Sequence, residues 1–251
     1  MSRIKKKRLD QILVDRGIVE NRTRAQALVM AGLVSSETLR LNKPGHKVNI
    51  DIILSIKGSE HPWVSRGGVK LSHGLNYFNI LPKGLVSLDI GASTGGFSDV
   101  LLNGNVKKIY AVDVGYGQLD WKIRQDERVV ILDKTNARYL NNDLVPDPID
   151  IIVCDASFIG LELILPAPMA LTAPQAYLLA LIKPQFEVGR ENVGRGGIVR
   201  DENLHNAVIK RLQDWINLQK HWRVLGVTES PIKGVGGNKE FLIAALKEID
   251  K

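Results

Sequence analysis

Five short apolar runs, separated by segments long enough for helices, constrain the fold of this chain more than any other feature. They lie at residues 85–90, 108–114, 129–132, 149–154 and 176–182. Alternation of buried strands with helices is typical of βαβ units, which build a parallel sheet covered by helices on both faces. We therefore predict a doubly wound α/β domain over most of the chain.

The last part of the chain predicts how this sheet ends. An amphipathic helix follows Asp201, which is placed to cap it, and its predicted buried side chains are Leu204, Val208, Leu212, Trp215 and Ile216. Two further strands are predicted near 224–228 and 241–246, joined by a glycine-rich connector that is too short for a crossover helix. These strands should be antiparallel neighbours. A reversed last strand is typical of the class I, Rossmann-like methyltransferase sheet.

One stretch, residues 163–182, carries no charged side chain and has about the length of a membrane-spanning helix. Three prolines interrupt it, so we predict a short helix, a turn and a buried strand there instead. A membrane-active or pore-forming protein remains an alternative. The only cysteine, Cys154, excludes an internal disulfide, and the N-terminus lacks a signal-peptide pattern, which predicts a cytoplasmic protein.

Positive charge is concentrated at the N-terminus. Residues 1–63 hold twelve Lys and Arg against six Asp and Glu, a net +6, and the rest hold 22 against 21, a net +1. Such a concentration favours binding to a polyanion such as nucleic acid. A basic face that is merely solvated is the alternative.

The basic quarter has the pattern of a small α+β module over residues 1–57. A first helix is predicted to bury Leu9, Ile12 and Leu13 and to end at Gly17. A second is predicted to begin at Asn21, to bury Ala25, Leu28 and Val29, and to end at Gly32. Strands are predicted over 33–41 and 48–56, with a turn at 42–45, and residues 58–63 are the predicted linker.

This module resembles the S-four-type RNA-binding domain through Arg8-Leu9-Asp10, Arg22 to Ala25, Gly32-Leu33-Val34 and Lys43-Pro44-Gly45. Residues 35–40 depart from that family, which usually carries a Val-Asn-Gly turn at this point. Arginines at a helix start suit phosphates, because helix N-termini and guanidinium forks both bind anions. The predicted RNA-binding residues are Arg8, Arg22, Arg24, Lys43 and, beyond the linker, Arg66.

The larger domain is predicted to span residues 64–251. Its first predicted strand, 85–90, is followed by a glycine turn, and the sequence there reads Asp89-Ile90-Gly91-Ala92-Ser93-Thr94-Gly95-Gly96-Phe97. Ser93 takes the second glycine position of a G-x-G-x-x-G fingerprint, which favours the methionine part of S-adenosylmethionine over a pyrophosphate. Asp113 ends the second strand, where a carboxylate accepts ribose hydroxyls. The predicted cofactor-binding residues are Gly91, Ala92, Ser93, Gly95, Gly96, Phe97, Asp113, Asp133 and Asp155.

Four further residues are predicted to lie at the carboxyl edge of the sheet, where the active sites of such folds are found. They are Lys70, before the first strand; Asp155 and Lys183, after the fourth and fifth; and Glu240, before the last. A ribose hydroxyl is a poor nucleophile and needs a base. Lys183 follows a wholly apolar strand and is predicted to be that base, positioned by Asp155 and Glu240. Ordinary ion pairs at the sheet rim are the alternative.

These motifs give the larger domain a specific resemblance. From Trp63 onward the chain resembles the FtsJ-type 2'-O-methyltransferases, whose Lys-Asp-Lys-Glu tetrad maps onto the four residues above. Together with Trp63-Val64-Ser65-Arg66-Gly67-Gly68, Asp155-Ala156-Ser157-Phe158 and Ile182-Lys183-Pro184-Gln185-Phe186-Glu187, the N-terminal module makes the chain similar to the TlyA family. That resemblance implies S-adenosylmethionine-dependent methylation of cytidine 2'-hydroxyls in bacterial ribosomal RNA. This family has also been labelled haemolysin.

Other functions stay open at this point. Asp155-Ala156-Ser157-Phe158 loosely resembles the Asp-Pro-Pro-Tyr motif of exocyclic-amine methyltransferases, although both prolines are missing. An RNA-binding factor with a vestigial fold is a non-enzymatic alternative. The segment 189–200, with three arginines and four glycines, is either a lid over the nucleotide or a solvent loop. Ribosomal RNA or a ribosomal subunit is the predicted partner, and no metal site is predicted.

Overall fold

A computed structural model describes residues 6–16, 18–19, 22–36, 41–56 and 61–248. The predicted helix caps Gly17 and Asn21 lie outside the described residues, as does the side chain of Arg24. The chain divides into two compact units, Met1–Pro62 and Trp63–Lys251.

The first unit is a small α+β module. Its elements are β1 (Lys6–Arg8), α1 (Leu9–Asp15), α2 (Arg22–Met30), β2 (Val34–Ser36), β3 (Lys47–Asn49) and β4 (Leu54–Ile56). Strand β1 pairs with β3 and β2 with β4, both antiparallel. The two helices pack their apolar faces together, so that Leu9, Leu13, Ala25 and Val29 are fully buried.

The strands of this module differ from the prediction. A continuous strand was expected over 48–56, but the structure has the separate strands β3 and β4, which pair with different partners. The break follows from Asn49, whose side-chain oxygen accepts a hydrogen bond from the Asp51 N–H at 3.1 Å. Asparagine favours such a turn over continued pairing. Strand β1 was not predicted, because three residues carry too little periodicity.

A seven-stranded sheet forms the centre of the second unit. Its strands are β5 (Val86–Ile90), β6 (Lys108–Val112), β7 (Val129–Leu132), β8 (Ile149–Cys154), β9 (Thr172–Ile182), β10 (Trp222–Glu229) and β11 (Phe241–Glu248). The spatial order is β10-β11-β9-β8-β5-β6-β7. Strands β5 to β9 are parallel, and β11 is antiparallel to both of its neighbours. The predicted sheet with a reversed last strand is confirmed.

Helices cover both faces of this sheet. They are α3 (Gly67–Tyr77), α4 (Gly96–Asn103), α5 (Trp121–Arg124), α6 (Leu161–Ile164), α7 (Pro166–Ala170), α8 (Pro184–Glu187) and α9 (Glu202–Leu218), with 3-10 turns at Ala137–Tyr139, Arg190–Asn192 and Val235–Gly237. Strand β8 shows the two-sided burial: Ile152 and Cys154 belong to one apolar cluster, and Ile151 and Val153 to the other. A parallel sheet buried on both faces explains its unbroken apolar runs.

The long helix and the uncharged stretch largely follow the prediction. The Asp201 side chain accepts from the Asn203 N–H and caps α9, which buries Val208, Leu212 and Ile216, whereas Leu204 and Trp215 are only partly buried. The stretch 163–182 forms the end of α6, then α7 and β9, so the expected turn is replaced by a second short helix. Within the part of the chain that the structure describes, no helix combines the length and apolarity needed to cross a bilayer.

Candidate active site

The glycine turn between β5 and α4 forms the floor of the site. Gly91 and Gly95 have φ of 77° and 92°, in the left-handed region that favours glycine. A Cβ at Gly91 would lie 3.0 Å from the Ala156 backbone nitrogen. The turn therefore lies directly against the segment that follows β8, and no side chain fits between them.

A cavity of about 450 Å³ opens above this turn, at the carboxyl ends of β5, β6 and β8. Its lining includes Gly91, Ser93, Asp113 and Asp155. The Asp113 carboxylate accepts hydrogen bonds from the N–H groups of Ser93, at 2.8 Å, and Gly115, at 2.7 Å. These two bonds fix the carboxylate at the cavity wall, and each oxygen keeps a second lone pair for a ligand hydroxyl.

The remaining predicted cofactor residues fall into two groups. Ala92, Gly96 and Phe97 line a smaller adjoining pocket of about 90 Å³, which shares Gly91, Ser93 and Asp155 with the main cavity. Gly95 and Asp133 line neither. Gly95 is the N-cap of α4, and the Asp133 carboxylate accepts from the Gly117 N–H and pairs with Arg124 at 3.3 Å.

Several lining residues were not identified from the sequence. They are Val114, Gln118, Thr135, Asn136, Ala137, Arg138 and the apolar Ile159 and Ile164. The segment 135–138 follows β7 and begins a 3-10 turn in which the Asn136 side chain accepts from the Arg138 N–H. The Asn136 cap after a strand end was the signal available in the sequence.

Strand register brings three of the four predicted catalytic residues to one edge of the sheet. Ile182 of β9 is paired with Phe241 of β11, so Lys183 and Glu240 extend from neighbouring positions. Asp155 follows Cys154, the last residue of the adjacent β8. Because β11 is antiparallel, its beginning meets the end of β9, and Glu240 reaches the same edge as the residues that follow parallel strands.

The four side chains form two separate ion pairs. Lys183 Nζ lies 2.6 Å from Asp155 Oδ1, and Lys70 Nζ, contributed by α3, lies 2.5 Å from Glu240 Oε2. Both lysine side chains are about nine-tenths buried. The sequence predicted that Asp155 and Glu240 both position Lys183. The structure instead pairs Glu240 with Lys70.

Lys183 has two further partners besides the Asp155 carboxylate. Its Nζ donates to the Asp155 carbonyl oxygen at 3.1 Å and to Ser157 Oγ at 2.9 Å. An ammonium has three N–H donors; two of them donate to these oxygens, and Asp155 Oδ1 lies at ion-pair distance from the same nitrogen. A neutral Lys183 would have to give up one partner to accept a proton, and the neutral Ser157 hydroxyl is the weakest of the three.

The segment from Asp155 to Gly160 carries one exposed aromatic side chain beside the site. Phe158 lines the cavity, is 87% exposed and has a φ of 65°. Its ring lies 4.9 Å from that of Phe186, measured between centroids. This position lowers stability in two ways. The positive φ strains the backbone of a bulky residue, and the exposed ring gains no free energy from burial.

Glu187 fixes the end of this segment. Its buried carboxylate accepts from the Leu161 N–H at 2.8 Å and from Arg211 at 2.7 Å. Burial raises the pKa of Glu187, while those two contacts oppose the rise.

Another buried carboxylate, Asp89, lies under the glycine turn and accepts a hydrogen bond from Ser98 Oγ at 2.6 Å. Burial raises the pKa of Asp89 to about 7.

The predicted loop 189–200 is attached to the connector that precedes Glu240. It closes on itself through a bridge between Gly194 and Ile198. The Asn238 side chain accepts from the Val199 N–H at 3.0 Å and donates to the Gly197 carbonyl at 2.9 Å. Asn238 is two residues before Glu240, so the loop and that residue share one connector. The exposed Arg66 donates to the Lys233 carbonyl of the same connector.

Comparison with known proteins identifies the family. Residues 63–247 match the model of a family described as FtsJ-like methyltransferase. The chain belongs to the FtsJ-like methyltransferase family. The resemblance stated from the sequence is thus confirmed, and the chain is an enzyme by family rather than a non-enzymatic binding factor.

The relatives cover nearly the whole chain. "Putative rRNA methyltransferase YqxC" of Bacillus subtilis is 47% identical, over 95% of this chain and 85% of its own length. The "16S/23S rRNA (cytidine-2'-O)-methyltransferase TlyA" of Mycobacterium tuberculosis is 41% identical, over 97% and 91%. A solved structure named "Putative hemolysin" from Streptococcus thermophilus is 41% identical and has a TM-score of 0.74, over 98% of this chain and 90% of that one.

Proposed function

We propose that this FtsJ-like enzyme transfers a methyl group from S-adenosylmethionine to the ribose 2'-hydroxyl of a cytidine in bacterial ribosomal RNA. The observation that carries the proposal is the pair of buried lysine–carboxylate contacts at the sheet edge beside a cavity of cofactor size. The mycobacterial relative, whose name states this reaction, supports the choice of ribose and of cytidine.

The residues of the cavity fit an adenosyl cofactor. Its volume lies within the range of small-molecule sites. Gly91 and Gly96 let the turn that lines the cavity pack closely on the protein, since a Cβ at Gly91 would meet the Ala156 backbone and a Cβ at Gly96 would lie 2.1 Å from Ser65 Oγ. The Asp113 carboxylate offers acceptors for ribose hydroxyls, and Ala137 and Ile159 provide apolar walls for a flat base. When bound there, S-adenosylmethionine supplies an electrophilic methyl group.

Lys183 acts as the base in this proposal. The acceptor hydroxyl would take the place of Ser157 Oγ and donate its proton to the neutral Nζ; the cofactor would supply the methyl group and leave as the neutral thioether S-adenosylhomocysteine. The ammonium formed remains 2.6 Å from Asp155 Oδ1 and bonded to the Asp155 carbonyl, which stabilises the new charge. Glu240 neutralises Lys70, so that a second ammonium is held at the same edge without a net charge excess.

Phe158 positions the target nucleotide. A base stacked on its exposed ring would be held beside the cavity. Stacking on a solvent-exposed aromatic ring contributes about 1–3 kcal/mol per base to binding. The Phe186 ring contacts that of Phe158 at a tilt of 47°, with the two centroids 4.9 Å apart. A nucleotide inside a duplex cannot reach this depth, so the target must be unpaired or flipped out.

The N-terminal unit contributes RNA affinity. Lys43 is exposed, and Arg8 and Arg22 are half-exposed and fixed by a buried carboxylate. These cations suit a phosphate backbone. No membrane partner is proposed, because RNA binding accounts for these exposed cations and methyl transfer to RNA accounts for the four residues at the sheet edge.

The proposal is tested by methyl transfer to ribosomal subunits from a strain that lacks the modification. Labelled S-adenosylmethionine is supplied, and the product nucleoside is identified by mass spectrometry after digestion. We expect label in 2'-O-methylcytidine. Label on a cytosine or adenine exocyclic nitrogen would show a base methyltransferase instead, and absence of label from both subunits would refute the ribosomal substrate.

A further inference from the structure

A fully buried carboxylate lies beneath two arginines of the N-terminal unit. Asp10, in the first turn of α1, has no exposed side-chain surface. Its Oδ1 accepts from Arg8 Nε at 3.0 Å, and its Oδ2 accepts from Arg8 Nη2 at 2.8 Å, Arg22 Nε at 3.1 Å and Gln26 Nε2 at 3.0 Å. The Arg8 and Arg22 side chains are 42% and 52% exposed. One carboxylate therefore fixes two guanidinium groups at the surface.

Asp10 stays ionised in this arrangement. The hydrogen bonds from Arg8, with those from Gln26 and Arg22, hold the pKa of Asp10 well below its usual range, although burial acts in the opposite direction. Its negative charge lowers the positive charge of the cluster from two to one. A surface selected for positive charge alone would not contain it, since a carboxylate repels the phosphates that the arginines attract.

Arg8 has a second constraint on its position. A Cβ built at Gly45 would lie 3.1 Å from Arg8 Nη1 and 3.4 Å from Cζ. The guanidinium therefore packs against the turn at 43–46, where the His46 N–H bonds to the Lys43 carbonyl. Asp10 accepts hydrogen bonds from two of the five N–H donors of Arg8. The close contact with Gly45 restricts the orientation of the guanidinium plane and therefore the direction of the other three donors.

We propose that Asp10 is a positioning residue for RNA binding, which holds Arg8 and Arg22 in one fixed arrangement that grips the phosphodiester backbone. This inference rests on the proposed RNA substrate. An arginine that is already ordered loses less conformational freedom on binding, which corresponds to about 2- to 12-fold in affinity for each side chain. The benefit of order then exceeds the repulsion from one buried carboxylate.

The charge change makes the test decisive. Asp10→Asn makes the protein more basic by one unit, so an account based on charge alone predicts tighter RNA binding. Positioning predicts roughly tenfold weaker binding, because an amide holds two guanidinium groups less firmly. The matched control is Asp15→Asn in the same helix, which makes the same charge change at an exposed pair with Lys7. We expect the control to bind at least as tightly as the wild type.

Binding is measured on the full-length chain with unmethylated small and large ribosomal subunits, at several salt concentrations. In a background of Arg8→Ala and Arg22→Ala, Asp10→Asn should cause no further loss of affinity. Equal or tighter binding by Asp10→Asn, or a full additional loss in that background, would overturn the proposal. If the wild type binds neither subunit, the proposed function fails first, which is a distinct result.

A second variant keeps the test valid if Asp10→Asn unfolds the N-terminal unit, as judged by circular dichroism and thermal unfolding. Gly45→Ala displaces the Arg8 guanidinium by a few tenths of an ångström without changing charge. We expect about 2- to 10-fold weaker RNA binding with unchanged cofactor affinity, since one ordered arginine is affected. Unchanged RNA affinity in Gly45→Ala would also contradict the proposal.

Discussion

Replacement of Lys183 tests whether this residue acts as the general base or contributes only a positive charge. Lys183→Ala removes the proton acceptor, and a general base contributes about 10²- to 10⁴-fold to the rate, or about 2.7–5.5 kcal/mol of the barrier. The Asp155 carboxylate, whose side chain is 22% exposed, then loses its partner. That loss should lower the free energy of unfolding by about 3 kcal/mol, near the lower limit for a broken buried pair. Lys183→Arg keeps the charge but supplies no base, since a guanidinium stays protonated.

The assay is single-turnover methyl transfer to unmethylated subunits at saturating cofactor, with cofactor affinity measured separately by calorimetry. Both Lys183 variants should lose methyl transfer at least a hundredfold and retain cofactor affinity. The matched control is Lys247→Ala, at the opposite end of β11, where Nζ donates to Thr172 Oγ1 at 2.9 Å. It should keep full activity. Turnover of Lys183→Arg within tenfold of the wild type would refute the role as base.

Three further predictions concern the cavity, the stacking ring and the buried acid. Gly91→Ala should abolish measurable cofactor binding, because its Cβ would meet backbone at 3.0 Å; Gly84→Ala, with a similar φ of 78° but open space, should bind normally in the same calorimetric titration. Phe158→Ala should lower kcat/KM for ribosomal subunits by about 5- to 150-fold, from the loss of about 1–3 kcal/mol of stacking, while thermal stability persists; unchanged kinetics would exclude stacking. Asp89 holds a proton up to about pH 7 in the folded protein, whereas the unfolded chain releases it near pH 4. Stability should therefore fall as pH rises from about 4 to 7, and urea unfolding of Asp89→Asn should show a flatter profile.

Much of the fold could be predicted from local pattern. Buried parallel strands give continuous apolar runs, so β5 to β9 were located within a few residues. The short connector before β11 predicted its reversal, because a crossover helix needs a dozen residues or more. The N-terminal strands were predicted less well, since three-residue strands such as β1 leave no periodicity, and the turn at Asn49 interrupts a stretch that is largely apolar.

The sequence also predicted where the chemistry would lie, for a topological reason. In a doubly wound sheet, residues that follow parallel strands meet at one edge. Asp113, Asp155 and Lys183 could therefore be assigned to that edge from strand ends alone. Asp133 satisfied the same rule, but its carboxylate bonds to Gly117 and Arg124 instead of lining the cavity. The rule fixes the edge at which a residue lies and leaves its side-chain direction open.

The sequence by itself determined the sheet type, the glycine turn and the edge that carries Lys183, because hydrophobic period and glycine positions are local properties of the chain. Only the tertiary structure decided which carboxylate pairs with which lysine. Lys70 and Glu240 are 170 positions apart in sequence, and their contact depends on how α3 packs beside β11. The burial of Asp10 beneath two arginines and the exposure of Phe158 were decided in the same way. Burial of a single polar or aromatic side chain depends on distant neighbours, and no local pattern encodes it.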